Sequence, residues 1–354
     1  MIDNNLALSA DDSKLIKGVA ICLMLWHHLF PNALYIGDSS IVVSLVRFGK
    51  VCVSLFLLVS GYGMSLRYSK VIENVHGVGN YFSHTIRFLM KRFLNFYAGY
   101  WIIFILFVSI GVFAFGISLE SRYETDNVIF PLIVDFFGFM GYHSYNITWW
   151  FNRTILLLYI AFPLIFFLIR KIPYMTFIAV LGLMLLPIPI AFVNEMTVWL
   201  LPFFLGMFWA MKLPEGYMLT KRQKYLMVLP IAIVLCGMLV FVRMNNIVPY
   251  FTGISVDGFL AVALSVLVIL LLRNLPILST SLSFLGKHSA NIYMVHTFLF
   301  SYWVPQLIYS PKYAILIFYV FAWNFFAHKR NSGVCKENNW YIPIGEIYQY
   351  KIDV

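Results

Sequence analysis

Charged side chains are scarce in this sequence. Only 11% of the 354 residues are Asp, Glu, Lys or Arg, against about 25% in soluble domains, while 61% are hydrophobic and the mean hydropathy is +0.83. A water-facing surface cannot be built from so few charges, which excludes a soluble enzyme, a disordered chain and a coiled coil. The apolar runs have helix length instead of the ten-residue alternation of an outer-membrane barrel. The composition therefore predicts an all-α polytopic membrane protein.

Familiar catalytic and metal-binding motifs are also missing. The sequence has no Walker loop, no HExxH, no dinucleotide fingerprint, no GxSxG elbow and no carboxylate pair at metal-ligand spacing. The four cysteines are far apart without a CxxC pair, and we interpret them as small buried hydrophobic residues. His27 and His28 have no acid or thiol nearby, so they make a poor zinc site. We expect no metal cofactor.

Ten apolar runs predict membrane helices, given that a span needs about 20 apolar residues. The segment 127–144 is apolar but contains Pro131 and Asp135, and we expect it to be re-entrant or interfacial. The predicted spans are 15–36, 41–66, 93–117, 149–169, 174–193, 197–211, 225–243, 254–272, 285–307 and 313–327.

The predicted organisation has three parts. Residues 1–12 form a polar N-terminus, residues 13–327 the membrane domain and residues 328–354 a short polar tail. A shifted or truncated reading frame is an alternative explanation of this tail.

The distribution of basic residues predicts the orientation. With the N-terminus in the cytoplasm, ten spans place 19 of the 25 Lys and Arg residues on the cytoplasmic side, as the positive-inside rule requires. We therefore expect both termini in the cytoplasm. The net charge of +10 then faces anionic lipid headgroups, and no nucleic-acid partner is indicated.

The first predicted helix carries ionisable side chains that are costly inside a membrane and are commonly functional there. Lys17 and His28 are eleven residues apart, so they share a helix face and lie about 16 Å apart along the axis. A cation at the cytoplasmic mouth with an imidazole above it would bring the reactive end of an anionic cofactor to a base. His27 points about 100° away. The structural alternatives are that Lys17 snorkels to the interface and that His28 bonds a neighbouring helix.

A late predicted helix carries a second buried histidine. His296 reaches a depth comparable with that of His28, and Tyr293 lies one turn earlier on the same face. An interhelical hydrogen bond is the structural alternative for His296. Ser60, beside Gly61, forms either a polar notch or a close helix contact.

Two further groups have both a structural and a functional interpretation. Arg87, Lys91 and Arg92 either flank a span as topological charges or bind phosphates. Trp150 belongs either to an interfacial aromatic belt or to a surface that stacks on a sugar ring.

Together these segments resemble the acyltransferase-3 family, the multi-span bacterial O-acyltransferases that modify surface polysaccharides and lipids. The resemblance covers residues 10–327. In this family the first helix carries an arginine, ten residues and an essential histidine; Lys17 and His28 occupy these positions here. Lysine keeps the charge but lacks the planar fork of arginine. The segments that carry the resemblance are KGVAICLMLWHHLF, SLFLLVSGYG, FLMKRFLNFYAGYW, WWFNRTILLLYIAFPLIF and FLGKHSANIYMVHTF.

Other family positions are matched in part. His296 matches a histidine that is frequent in the late helix, and Arg92 matches a recurring basic position. Asn95 and Ala98 stand where the family often has arginine and proline.

The resemblance implies acetyl-CoA as the cytosolic acyl donor and a sugar hydroxyl as the acceptor. His28 would deprotonate this hydroxyl or carry the acyl group transiently. We expect Lys17 and His296 to assist it in catalysis. The other expected contacts are Arg87, Lys91 and Arg92 with the donor, and His27, Ser60, Tyr293 and Trp150 with the substrates.

The sequence thus predicts an O-acetyltransferase of the bacterial cytoplasmic membrane that acts on a capsule or exopolysaccharide. A transporter or flippase of glycans or small solutes is the alternative from another class. A scaffold of a polysaccharide assembly complex is a third interpretation, in which neither histidine would matter.

Overall fold

A computed structural model describes residues 6–30, 40–185, 196–212, 219–245, 255–310, 313 and 316–318. These residues form helices and turns and contain no strand. The predicted tail 328–354 and most of the predicted span 313–327 lie outside the described residues. The labelled helices are α1 (Ala10–Leu29), α2 (Ser40–Gly49), α3 (Val51–Ile72), α4 (Val78–Phe115), α5 (Leu119–Tyr123), α6 (Ile129–Phe136), α7 (Trp150–Lys171), α8 (Pro173–Leu185), α9 (Leu200–Lys212), α10 (Leu229–Met244), α11 (Ser255–Leu271), α12 (Pro276–Lys287), α13 (Ser289–Thr297) and α14 (Pro305–Tyr309).

The prediction of a helical membrane protein is confirmed at the level of helix length and composition. Among the described residues, four continuous helical stretches are long and apolar enough to cross a bilayer, and shorter apolar helices accompany them in α8, α9 and α11. The four stretches are Leu45–Ile72, Val78–Phe115, Ile147–Lys171 and Lys224–Met244.

The predicted span 285–307 is not one continuous α-helix. The chain turns at His288, whose φ of −97° and ψ of 10° end α12, and a π-helical turn over Phe298–Trp303 follows α13. Helix α12 begins at Pro276, in a stretch that is too polar to have been predicted as a span.

Two pairs of glycines allow helices to approach each other closely. A Cβ on Gly18 of α1 would meet the carbonyl oxygen of Leu282 in α12, and one on Gly286 of α12 would meet that of Lys14. Gly61 of α3 and Gly206 of α9 form the equivalent contact, each facing a backbone carbonyl of the other helix. Small residues at such crossings are the common way to pack membrane helices. These contacts fix α1 and α3, which carry Lys17, His28 and Ser60 among the predicted site residues.

An ion pair also anchors the start of α1. Arg273, just after α11, donates from Nε and Nη2 to the two carboxylate oxygens of Asp12 at 2.8 and 2.7 Å. Asp12 is buried and accepts a hydrogen bond from the backbone N–H of Ser9, the N-cap residue. The bidentate geometry therefore holds the N-terminal end of α1 against the bundle.

The segment 127–144 contains α6 and a buried carboxylate. Asp135 Oδ2 accepts hydrogen bonds from the Tyr123 hydroxyl at 3.0 Å and from the Tyr145 backbone N–H at 2.6 Å. Burial raises the pKa of this carboxyl group to about 6. These bonds join α5 and α6 to the chain that leads into α7.

Candidate active site

Three histidine rings lie side by side where α1 meets α13. The centroids of the His28 and His296 rings are 5.0 Å apart, and those of His27 and His28 are 4.9 Å apart. His296 is fully buried. His28 and His296, which were predicted to lie at a similar depth on two different helices, are thus neighbours in the structure.

Backbone carbonyls fix the protons of the two flanking rings. Nδ1 of His27 lies 2.7 Å from the carbonyl oxygen of Val46, and Nδ1 of His296 lies 2.7 Å from that of Tyr293. Since a carbonyl oxygen only accepts, each Nδ1 carries the hydrogen, and in the neutral ring Nε2 is the bare nitrogen. Nε2 of His296 is buried and has no hydrogen-bond partner within the described residues. His28 therefore lies between two imidazoles of defined tautomer.

Tyr293 connects this histidine group to the start of α7. Its hydroxyl donates to the backbone oxygen of Thr148 at 2.7 Å, while its own carbonyl accepts from His296. The Thr148 and Thr297 hydroxyls are 3.0 Å apart and strengthen the same contact. The His296 ring is thus held by a carbonyl of its own helix, α13, and α13 is joined by these bonds to the chain that leads into α7.

A cavity of about 230 Å³, here called the histidine cavity, opens beside His28. Its wall includes a cation and two aromatic rings that stack on each other, and the described residues contribute no carboxylate side chain to it. The lining residues are Met24, His27, His28, Lys50, Cys52, Val53, Phe56, Tyr142, Thr148, Trp150, Phe151 and Tyr293.

A second cavity of about 200 Å³, the middle cavity, adjoins the first one. The two share Phe56, Phe151 and Tyr293 in their walls. The middle cavity continues toward the other end of α1, where Lys17 and Ser60 line it.

A third cavity of about 390 Å³, the basic cavity, shares Lys17, Ser60 and Tyr159 with the middle cavity. Lys14 is paired with Asp11 at 2.9 Å, but no carboxylate of the described residues pairs with the other four cations. The cations that line this cavity are Lys14, Lys17, Arg67, Lys70 and Arg92. The three cavities thus lie in a row between the cation cluster and His28.

The structure brings most of the predicted site residues to these cavities. Lys17, Ser60 and Arg92 line the basic cavity, Tyr293 lines the middle and histidine cavities, and His27, His28 and Trp150 line the histidine cavity. His296 lies behind His28. Arg87 and Lys91 have exposed side chains and line none of the three cavities.

Sequence reasoning missed several cavity residues. Arg67 and Lys70 were counted only as topological charges, although Arg67 follows Ser60 by seven residues and so lies on nearly the same face of α3. Lys50 and Tyr142 lie in the connections between labelled helices, so helical periodicity could not place them at the cavity. Within the described residues, no group of three or more His, Cys, Asp or Glu side chains is placed to hold a metal ion.

Comparison with known proteins identifies the family. No curated protein and no solved structure matches the chain. The acyltransferase-3 family model, described as an acyltransferase domain, matches residues 11–329, essentially the whole chain. The chain therefore belongs to the acyltransferase-3 family.

Proposed function

We propose that this protein is a membrane O-acyltransferase that moves an acyl group, acetyl in the first instance, from cytosolic acyl-CoA to a hydroxyl of a cell-surface polysaccharide such as a capsule or exopolysaccharide. In this proposal ten spans cross the bacterial cytoplasmic membrane and both termini are cytoplasmic. The observation that carries the proposal is the series of adjoining cavities between the cation cluster and His28.

The basic cavity suits the phosphate-bearing part of the donor. Lys17, Arg67, Lys70 and Arg92 leave four positive charges unmatched by ion pairs with the described carboxylates. Arginine binds phosphate through a planar fork and lysine binds it as a point charge. Arg87 and Lys91, which are exposed on α4, would attract the donor from outside the cavity. The acyl thioester would extend through the middle cavity.

His28 is the proposed base. Its ring lines the histidine cavity, where a sugar hydroxyl from the opposite side of the membrane would meet the thioester. The hydroxyl oxygen bonds to the thioester carbonyl carbon while His28 takes the hydroxyl proton. The carbon–sulfur bond then breaks, and the thiolate leaves as the thiol with that proton. Transient acylation of His28 is the alternative route to the same products.

His28→Ala tests the proposal directly. A general base contributes about 10²- to 10⁴-fold to a rate, so we expect kcat to fall by at least that factor while the protein stays in the membrane. The measurement is transfer of labelled acetyl from acetyl-CoA to purified glycan by membranes. His288→Ala is the matched control, because His288 lines none of the three cavities. Full transfer by His28→Ala would contradict the role of His28.

Gene deletion separates the enzyme from the transporter and the scaffold. An enzyme predicts that ester-linked acetate disappears from the surface glycan and returns with the wild-type gene but not with His28→Ala. A transporter or flippase predicts loss of the glycan itself. If the protein is a scaffold, the wild-type gene and the His28→Ala gene should both restore the ester-linked acetate.

A further inference from the structure

The opening of the histidine cavity is lined by aromatic rings and a lysine. The Tyr142 and Trp150 rings stack with centroids 5.2 Å apart and planes 18° apart, and Trp199 supports Trp150 at 5.6 Å. Tyr142 is 52% exposed. Such rings present an apolar surface to one face of a sugar while its hydroxyls point elsewhere.

Lys50 supplies the charge of this cavity. It lies between α2 and α3, at the same cavity wall as His27 and His28. Asp257, a buried acid near this region, forms its ion pair with Arg243 at 2.8 Å and interacts with Lys50 only at longer range; no carboxylate of the described residues lies within ion-pair distance of Lys50. The ammonium group thus gives this cavity a positive charge that would attract a negatively charged ligand group.

The size of the cavity limits what that group is. About 230 Å³ is below the roughly 300–1,000 Å³ of pockets for drug-sized ligands, so the cavity encloses about one sugar residue and the rest of a polysaccharide would lie outside it. A phosphodiester links two residues, so its charge would lie where the polysaccharide leaves the cavity. A carboxylate on the sugar ring itself adds charge within one residue.

We infer that the acceptor is an acidic polysaccharide, and that Lys50 binds the carboxylate of the sugar residue that becomes acylated. This inference rests on the proposed function and adds the chemical class of the acceptor. Trp150 and Tyr142 hold the ring, and Lys50 sets its rotation, so that one hydroxyl points at His28.

The test compares two forms of one acceptor. The surface glycan of the source bacterium is stripped of its esters, and half of it is then carboxyl-reduced, which converts each carboxylate to a neutral CH₂OH group. Membranes with the full chain receive labelled acetyl-CoA and either glycan. We expect wild type to show at least a tenfold lower kcat/KM on the reduced glycan.

Variants of Lys50 assign this preference to one side chain. Lys50→Gln should lose about tenfold in kcat/KM on the native glycan through a higher KM, and nothing on the reduced glycan, which also shows that the variant is folded. Lys50→Arg should retain the preference. Lys171→Gln is the control, because Lys171 is exposed at the end of α7 and lines none of the cavities.

Salt provides a readout that a structural role of Lys50 would not change. Attraction between a lysine and a carboxylate near water weakens with ionic strength, so KM for the native glycan should rise with salt in wild type and stay flat in Lys50→Gln.

The outcomes distinguish the inference from the proposal beneath it. Three outcomes would overturn the acidic acceptor and leave the acyltransferase function intact. They are equal labelling of both glycans by wild type, labelling of a native glycan that has no carboxylates, and a wild-type kcat/KM of Lys50→Gln on the native glycan. Absence of label from every glycan with wild type contradicts both.

Discussion

At the scale of single residues, the two imidazoles beside His28 have their protons committed to backbone carbonyls. Helical periodicity was sufficient to predict that Lys17 and His28 share a face and that His296 lies at a similar depth. It was not sufficient to predict the 5.0 Å between the rings of His28 and His296, because periodicity does not say which helices are neighbours. Nε2 of His296 has no hydrogen-bond partner among the described residues, and we expect it to accept one from His28 when that ring becomes protonated in the reaction.

His296→Phe tests this role, since phenylalanine keeps the ring but removes the acceptor. We expect kcat to fall roughly 10- to 100-fold, less than the 10²- to 10⁴-fold that a general base itself contributes. KM for acyl-CoA should not change. His296→Gln, whose amide oxygen accepts a hydrogen bond, should recover part of kcat, a rescue that loss of packing alone does not predict. Wild-type kcat in His296→Phe would contradict the role.

Asp135 predicts a pH dependence of stability. Burial raises the pKa of its carboxyl group to about 6 from an ordinary value of 3.8, so the folded protein holds the proton more tightly than the unfolded chain. The stabilisation is complete below about pH 4 and is lost as the pH rises to about 6. At about 1.4 kcal/mol per pKa unit, the change in the free energy of unfolding is about 3 kcal/mol.

The measurement for Asp135 is the thermal midpoint of the detergent-solubilised protein between pH 4 and pH 7. Asp135→Asn should flatten the part of the profile that this carboxyl group contributes, because its amide oxygen still accepts from Tyr145 without titrating. Asp126→Asn, at an exposed acid of the same segment, should leave the profile as in wild type. A wild-type slope in Asp135→Asn would refute the assignment.

At the scale of helices, glycine placement determines which helices cross closely. For the Ser60–Gly61 pair the sequence left open a polar notch or a close helix contact: Gly61 faces α9 and Ser60 lines two cavities, whereas a Cβ on Gly63 would meet only open space. The crossing of α1 with α12 was not predictable, because PILSTSLSFLGK is too polar to signal a membrane helix. Gly286 of α12 indicates a close helix crossing only once Gly18 is known to face this helix.

Gly18→Leu tests the crossing of α1 and α12. The new Cβ would overlap the carbonyl oxygen of Leu282, and a backbone atom cannot give way as a flexible side chain can. Overpacking of this kind costs about 1–3 kcal/mol or more, so we expect a lower thermal midpoint in detergent and less protein in the membrane. Gly237→Ala, on α10 with nothing within 4 Å of its Cβ, should be neutral. A wild-type midpoint for Gly18→Leu would contradict the close approach.

At the scale of the whole molecule, the cations of the basic cavity come from three different helices. Lys17 comes from α1, Arg67 from α3 and Arg92 from α4. Charge counting assigned these residues to one side of the membrane but did not show that they converge, since the positive-inside rule carries no information about tertiary contacts. It also gave no reason to separate Arg92 from the exposed Arg87 and Lys91.

Arg67→Gln tests the donor end of the proposed path. Loss of one charge-assisted contact to a phosphate costs about 1.5–3 kcal/mol, so we expect KM for acyl-CoA to rise roughly tenfold or more while kcat changes little. Arg170→Gln, at an exposed arginine near the end of α7, is the matched control. Changes confined to kcat, or an equal rise in KM for both variants, would count against a donor site in the basic cavity.

The separation of the two ends of this path has a pharmacological consequence. Under the proposed function, a small aromatic-binding compound applied outside the cell would reach the Tyr142–Trp150 pair and block the acceptor without entering the cytosol. A nucleotide mimic aimed at the cation cluster would first have to cross the lipid. Inhibitors of this protein should therefore be sought among sugar analogues that carry a carboxylate and are delivered from outside, before analogues of the donor.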